Sequence, residues 1–353
     1  MSQRIPTLVL GGTGYVAGEV LRLVLAHPAF ELAGVMSDSQ PGEPVGNSFP
    51  HLAAVSGNSA FKSQAEIERL IVGLPVSAVF SAAPHGVSAA LIDKLLTTAA
   101  AAGTRPRVVD ISADYRFKDA AAYAAVYKHA HGAPNRLAEF TCAVPEHLAK
   151  LTTPHVAHPG CFATTILLAV VPLLAMKLVE PTLFVSGVTG STGSGRKPVE
   201  GTHHPTRHSD LYSYSALAHR HAPEIRACAL AASGVDADIA FVPHSGPFAR
   251  GIHATVQAKL TQTLDTAGVI ARLRDFYAGK PFVRVLDSAP RLKDIVASNY
   301  AHLSAAANGR TVAVMSVADN LNKGAAGGAV QWMNRLFDLP ETTGLTAPAA
   351  GWT

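Results

Sequence analysis

The apolar positions of the chain follow two different rhythms. In the first half, short β-rich runs alternate with longer stretches of helical spacing. Thr7–Leu10 is the first run; a glycine-rich turn follows, and Val20, Leu21, Val24 and Leu25 then recur at the spacing of one helix face. His27-Pro28 closes that helix, because proline disfavours helical geometry in the residue before it. "FELAGVMS" reads as a second strand, and Gln40–Pro50 is rich in proline and glycine. An alternating pattern then resumes, with "VSAVFS" a strand ending at Ser81, a helix running to about Ala102, and "PRVVD" a strand ending near Asp110. Strands alternating with helices predict an α/β fold, a Rossmann-type doubly wound parallel sheet.

The second half reads differently. A helix is predicted from about Phe162 to Leu178, followed by the strand-like runs "TLFVSGVTG", "DIAFVPHSG", "GIHATVQAKL", "PFVRVLD" and "TVAVMSVADN". Many strands around few helices predict an α+β domain with a large mixed sheet. "GAAGGAVQWMNRLFDL" is a final amphipathic helix. A length of 353 residues suits two domains. Residues 1–158 are expected to bind a dinucleotide, completed by the C-terminal helix 321–353, and residues 159–320 to carry catalysis and dimerisation.

Composition narrows the class. Hydrophobic residues make up 48% and charged residues 15%, enough for a sizeable core and too little charge for long disordered tails. The net charge of +4 comes without a Lys/Arg block, which suits small anionic metabolites rather than nucleic acid. Three cysteines give no disulfide framework and fit a reducing compartment. The N-terminus lacks a signal-peptide pattern, and the longest apolar run, "ATTILLAVVPLLAMKLVEP", is broken by Pro172. A cytoplasmic protein without a membrane partner is expected.

Two local patterns carry chemistry. Gly11, Gly14 and Ala17/Gly18 sit between the first strand and its helix, where bare backbone and the helix N-terminus accept a pyrophosphate. At the end of the second strand, "MSDSQ" leaves the cofactor open: Ser37 and Ser39 can donate to a 2′-phosphate, whereas Asp38 can hold a ribose 2′-OH. Cys161, in "VAHPGCFATT", stands at the start of a predicted helix, where the dipole and unpaired N–H groups favour a thiolate. The same N–H groups can hold an oxyanion. A reactive cysteine beside a nicotinamide site implies a thioester and hydride transfer. Cys142 and Cys228 read as buried, inert thiols. Among 16 histidines, His203, His204 and His208 lack zinc-ligand spacing, so no metal is expected. His219 or His221 is the better-placed acid/base partner of Cys161.

Together these motifs resemble the N-acetyl-γ-glutamyl-phosphate reductase family, relatives of aspartate-semialdehyde dehydrogenase. The resemblance covers nearly the whole chain: "GGTGYVAGEVLRLVLAHP", "VDISADYRF", "HPGCFATT" (the most specific), "SGVTGSTGSGRKP", "HRHAPEI" and "DNLNKGAAGGAVQWMN". It implies Cys161 as nucleophile and His219 as acid/base, with His221 second. It implies NADP(H), with Gly11, Thr13, Gly14, Tyr15 and Val16 at the pyrophosphate, Ser37 near the 2′-phosphate, Pro84 lining the cofactor cleft and Asn320 near the nicotinamide. Arg116 and Arg196 are candidates for gripping the carboxylate or phosphate of an acyl-phosphate substrate. A homodimer or homotetramer is also implied. Two departures stand out: Asp38 occupies a position where many members carry Arg, and the loop "TGSGRKPVEGTHHPTRHSD" is longer and richer in histidine. The implied reaction is reduction of N-acetyl-γ-glutamyl phosphate. The alternatives are the same chemistry on an aminoadipyl or aspartyl phosphate, or a non-catalytic NADP-sensing regulator.

Overall fold

The computed structural model describes residues 4–351. The chain forms two compact units. The first holds the residues up to Cys142, Lys150–His158 and Ala326–Thr346; the second holds Ala143–Ala149, Pro159–Ala325 and the residues from Ala347 on.

The first unit is built on seven strands: β1 (Ile5–Leu10), β2 (Phe30–Met36), β3 (Phe61–Lys62), β4 (Val76–Ser81), β5 (Arg105–Asp110), β6 (Phe140–Cys142) and β7 (His155–Ala157). Their order is β3-β2-β1-β4-β5-β7-β6, and every pairing is parallel. Leu8, Val9 and Leu10 have no exposed surface, as expected of a strand covered on both faces. The chain leaves β1 toward β2 on one side and has β4 on the other, so the strand order reverses there and a crevice opens at the strand ends. The predicted α/β doubly wound sheet is the one observed. β3, β6 and β7 are too short to show a period in the sequence. The Gln64–Val72 helix starts at a capping box between Ser63 and Glu66.

The C-terminal helix belongs to this unit, where it packs against β5 and the Tyr15–Ala26 helix. It spans only Gly327–Leu336. Asp338, at φ 53°, turns the chain out of helical geometry, and Pro340 follows.

The second unit has β8 (Val179–Thr189), β9 (Tyr212–Ser213), β10 (Asp238–Ser245), β11 (Ile252–Leu260), β12 (Val283–Val285), β13 (Ala301–Asn308) and β14 (Thr311–Ala318), ordered β12-β13-β14-β11-β8-β10-β9. β8/β10 and β12/β13 are parallel and the other pairs antiparallel, which makes the expected mixed sheet. The Cys161–Ala175 helix packs against β8, β11 and β14. Phe162 through Leu174 are all buried, so this helix is apolar on every side and forms the core of the unit. Residues 143–149 and 321–325, read from the sequence as part of the first domain, lie in the second unit. Lys323 Nζ and Glu146 Oε1, 2.6 Å apart and without exposed side-chain surface, tie these two segments together.

Candidate active site

In the first unit the chain leaves β1 through Gly11, whose φ of +78° favours glycine. A Cβ on Gly11 would lie 2.5 Å from Ala83 N, and one on Gly12 would lie 2.7 Å from Met36 O. The turn therefore presses against the chain ends of β2 and β4. Gly14 differs, because a Cβ there would meet nothing within 4 Å. It caps the Tyr15–Ala26 helix without a side-chain acceptor. The result is a helix N-terminus with uncovered backbone N–H groups at Tyr15 and Val16, beside half-buried Thr13. Exposed Pro84 follows the Ala82–Ala83 turn that touches Gly11. The structure thus gathers Gly11, Thr13, Gly14, Tyr15, Val16 and Pro84.

Ser37 and Ser39 are also joined, Oγ to Oγ at 3.2 Å. Asp38, between them, turns away: its Oδ1 accepts the Gln64 N–H at 3.0 Å at the start of the next helix. Ser39 borders a depression of about 450 Å³ lined also by Gln40, Glu43, Asn47 and Ser48. The "VDISADYR" motif frames this crevice rather than contributing a reactive group. Asp114 accepts from Gly86 N, Ala89 N and Tyr123 Oη. Asp110 accepts from Ser88 Oγ, Ser112 N and Ser112 Oγ. Complete burial pushes the Asp110 carboxyl up to about 6.

In the second unit Cys161 is the first residue of its helix, with Gly160 as N-cap. The Gly160 N–H donates to Glu224 Oε1 at 2.6 Å, so a buried carboxylate fixes the peptide that carries the cysteine. On the other side Gly324 crowds the thiol-bearing carbon. A Cβ at Gly324 would lie 2.9 Å from Cys161 Cβ. Gly324 sits in a π-helical turn, Asn322–Ala326, whose start is organised by buried Asp319 through Arg250, Leu321 N and Asn322 N.

His219 lies in the same cluster. Its ring stands edge-on to Phe162 at 5.7 Å, Tyr214 at 5.6 Å and Phe241 at 5.4 Å. Its Nδ1 accepts the His221 N–H at 3.1 Å, which places the proton of the neutral ring on Nε2. Burial, then the Arg220 charge, lowers His219 to about 4, so it is neutral at physiological pH. Tyr214 is pushed up by burial first and then by the Cys161 charge, which puts phenol and sulfur within electrostatic range. His221 begins the His221–Ser233 helix, and its ring lies 6.5 Å from Phe162.

Two expected residues are engaged within the fold, and a third is exposed. Arg116 is buried, donating from Nε to His158 O at 3.0 Å and from Nη2 to Ile111 O at 2.8 Å. These carbonyls engage the Nε and Nη2 atoms of its fork, so it helps order the segment before Cys161. Asn320 uses both ends of its amide internally, accepting from Gly251 N and donating to Thr192 Oγ1. It helps hold the turn after β8. Arg196 is exposed on the loop after β8. His203, His204 and His208 are exposed on the same loop. The sequence reading missed Glu224, although it stands inside the quoted "HAPEI", and Gly324, inside "NKGAAGG".

Comparison with known proteins covers both units. Residues 7–152 match the family described as semialdehyde dehydrogenase, NAD binding domain, and residues 161–320 match semialdehyde dehydrogenase, dimerisation domain. An N-acetyl-gamma-glutamyl-phosphate reductase of Acidithiobacillus ferrooxidans is 38% identical over 344 residues, covering 96% of each chain. One from Ectopseudomonas mendocina is 39% identical over 348 residues, covering 97% of this chain and 98% of its own. The crystal structure of aspartate semialdehyde dehydrogenase II from Vibrio cholerae, complexed with ASA, has the same fold at a TM-score of 0.70 and 14% identity, covering 96% of this chain and 99% of that one.

Proposed function

Because the chain belongs to the N-acetyl-γ-glutamyl-phosphate reductase family of semialdehyde dehydrogenases, we propose that it reduces N-acetyl-γ-glutamyl phosphate to N-acetylglutamate 5-semialdehyde and phosphate, a step of arginine biosynthesis. The observation that carries this reading is Cys161 at a helix N-terminus, with its peptide held by Glu224 and its Cβ pressed by Gly324.

Cys161 attacks the acyl carbon, forming the C–S bond of a thioester as the C–O bond to phosphate breaks. The proton consumed overall leaves with the phosphate. NADPH, when bound, supplies the hydride. Collapse of the thiohemiacetal oxyanion re-forms the carbonyl and breaks the C–S bond, returning Cys161 as thiolate. His219 donates its Nε2–H to the oxygen of each tetrahedral species, a role that suits a ring held neutral by burial. Arg196 remains the candidate for the phosphate.

The bare backbone around Gly14 fits a pyrophosphate held by Gly11, Thr13, Gly14, Tyr15 and Val16, with Pro84 alongside. Ser37 and Ser39 would hold the 2′-phosphate. Asp38, the residue that argued for NAD, is engaged by Gln64 N–H, which supports NADP. Among the described residues no helix is long and apolar enough to cross a membrane. We read the enzyme as a cytoplasmic homodimer or homotetramer, in line with a dimerisation-domain match over residues 161–320.

The test is the reverse reaction, phosphate-dependent reduction of NADP⁺ with N-acetylglutamate semialdehyde, run beside NAD⁺. Activity with NADP⁺ is expected. Activity with NAD⁺ alone would overturn the cofactor assignment, and turnover only of aspartyl or aminoadipyl semialdehydes would overturn the substrate.

A further inference from the structure

A long loop joins β8, which ends at Thr189, to β9, which starts at Tyr212. Across residues 195–211 every residue is exposed or half-buried except one, Arg207. This residue is 7% exposed and ends a single helical turn, His204–Arg207. Its Nη1 donates to Ser245 Oγ at 2.8 Å. Its Nε and Nη2 are buried and meet no acceptor. An arginine stays charged in a protein, and buried ionic donors without acceptors are unfavourable. The fold therefore turns one of the three strongly cationic side chains of this loop inward, while Arg196 and Lys197 stay exposed, and leaves its side-on pair of parallel N–H groups unanswered. That pair matches the two oxygens of a carboxylate or of a phosphate.

The surroundings place this guanidinium beside the reactive cysteine's cluster. Phe241, Pro243 and Ser245 are the buried, same-side positions of β10. The segment from Arg207 to His219 runs back along them: Arg207 at Ser245, the Tyr214 N–H on Pro243 O at 3.1 Å, and the His219 ring against Phe241. Ser245 to Phe241 is four strand residues, roughly 13 Å. Between the two ends lies Tyr214, close enough to feel the charges of both Cys161 and Arg207. One end of the row carries the sulfur and the imidazole and the other carries the guanidinium. In an acyl phosphate of an amino-acid side chain, the phosphate adjoins the reacting carbonyl and the α-carboxylate lies at the far end.

We propose that Arg207 is the substrate-carboxylate residue, its Nε–Nη2 edge pairing with the α-carboxylate of the acyl phosphate. The inference rests on the function proposed above. It makes this loop a specificity element and gives one of the anion-gripping roles expected of Arg116 and Arg196 to another residue.

The reverse reaction separates the anions, because the semialdehyde carries the carboxylate while phosphate is added independently. Arg207→Gln is expected to raise KM for N-acetylglutamate semialdehyde about 100-fold, leaving KM for phosphate and NADP⁺ within about twofold. Arg207→Lys is expected to recover only part of the loss. A second comparison is indifferent to folding yield: wild type should prefer the α-carboxylate substrate over its α-carboxamide by about 100-fold, and Arg207→Gln should lose that preference. An unchanged semialdehyde KM, or a preference retained in the variant, overturns the inference. A rise confined to the phosphate KM overturns it too, by moving the guanidinium to the leaving group. If the wild-type enzyme is inert on this semialdehyde, the proposed substrate falls, and the carboxylate-against-carboxamide comparison on aspartyl and aminoadipyl semialdehydes decides Arg207.

Discussion

The glycine turn after β1 and the cysteine turn before Phe162 are built on the same plan, a short turn that ends at the first residue of a long helix. Their finish is opposite. At Gly14 the space beyond the backbone is open, and the helix N-terminus has no side-chain cap. At Cys161 the surroundings close in, with Glu224 on the preceding N–H and Gly324 against Cβ. The difference follows from what each end has to do. A helix N-terminus that receives a diphosphate works by leaving its N–H groups uncovered. One that presents a nucleophile works by restricting the side chain to a single direction, because misplacement by an ångström forfeits much of the rate.

The comparison breaks first at the sulfur. Cys161→Ser is expected to lower turnover by roughly 10⁴-fold while cofactor affinity, measured by fluorescence titration, is unchanged. Retained activity would remove the nucleophile from the second turn and the contrast with it. Gly324→Ala comes next. The added methyl must displace Cys161, so kcat and the rate of iodoacetamide alkylation should both fall, by about 100-fold for kcat. A normal alkylation rate would show that the crowding does not set the thiol's direction.

Paired substitutions sharpen the first turn. Gly14→Ala should keep the melting temperature and weaken NADPH binding about tenfold, since its methyl enters the space read as the pyrophosphate site. Gly11→Ala should lower stability itself by about 1–3 kcal/mol, because its positive φ and the 2.5 Å approach to Ala83 N both resist a side chain. Equal effects at the two glycines would mean that the open space at Gly14 is incidental.

The smallest effect is with pH. His219 is held at about 4, chiefly by burial. Its contribution to kcat should therefore be flat from pH 8 to about 5, and a break near 6.5 that vanishes in His219→Gln would show that the ring is not shielded. The same depression has a stability consequence. Below the ordinary value near 6.5 the unfolded chain takes up a proton that the folded ring refuses, so stability falls as pH drops from about 6.5 to about 4. Asp110, raised to about 6, acts in the opposite sense over nearly the same range. His219→Gln should accordingly flatten the acid-side loss measured by thermal unfolding.

Periodicity in the sequence was enough for β1, β2, β4 and β5, for the helices that follow β1 and β4, and for the mixed character of the second sheet. It was silent on β3, β6 and β7, whose two or three residues take their strand geometry from neighbours already in place. It also overextended the last helix, which a left-handed Asp338 ends at Leu336. Of the site, the glycine turn and Cys161 were legible because each depends on neighbours along the chain. For Arg116 and Asn320, residue type alone did not reveal the backbone groups that engage them in the fold.

The sequence by itself determined a glycine turn opening a parallel sheet, a cysteine at a helix start and a histidine pair downstream. Each is a local pattern in which adjacent residues supply both the geometry and the chemistry. Only the tertiary structure decided what surrounds them: Glu224 reaching a peptide 64 residues away, Gly324 closing on Cys161, Asp38 turned to Gln64, and Arg207 folded inward onto Ser245. The physical reason is burial. Whether a charged group meets water, a partner or a ligand depends on segments distant in the chain, and no local spacing encodes that.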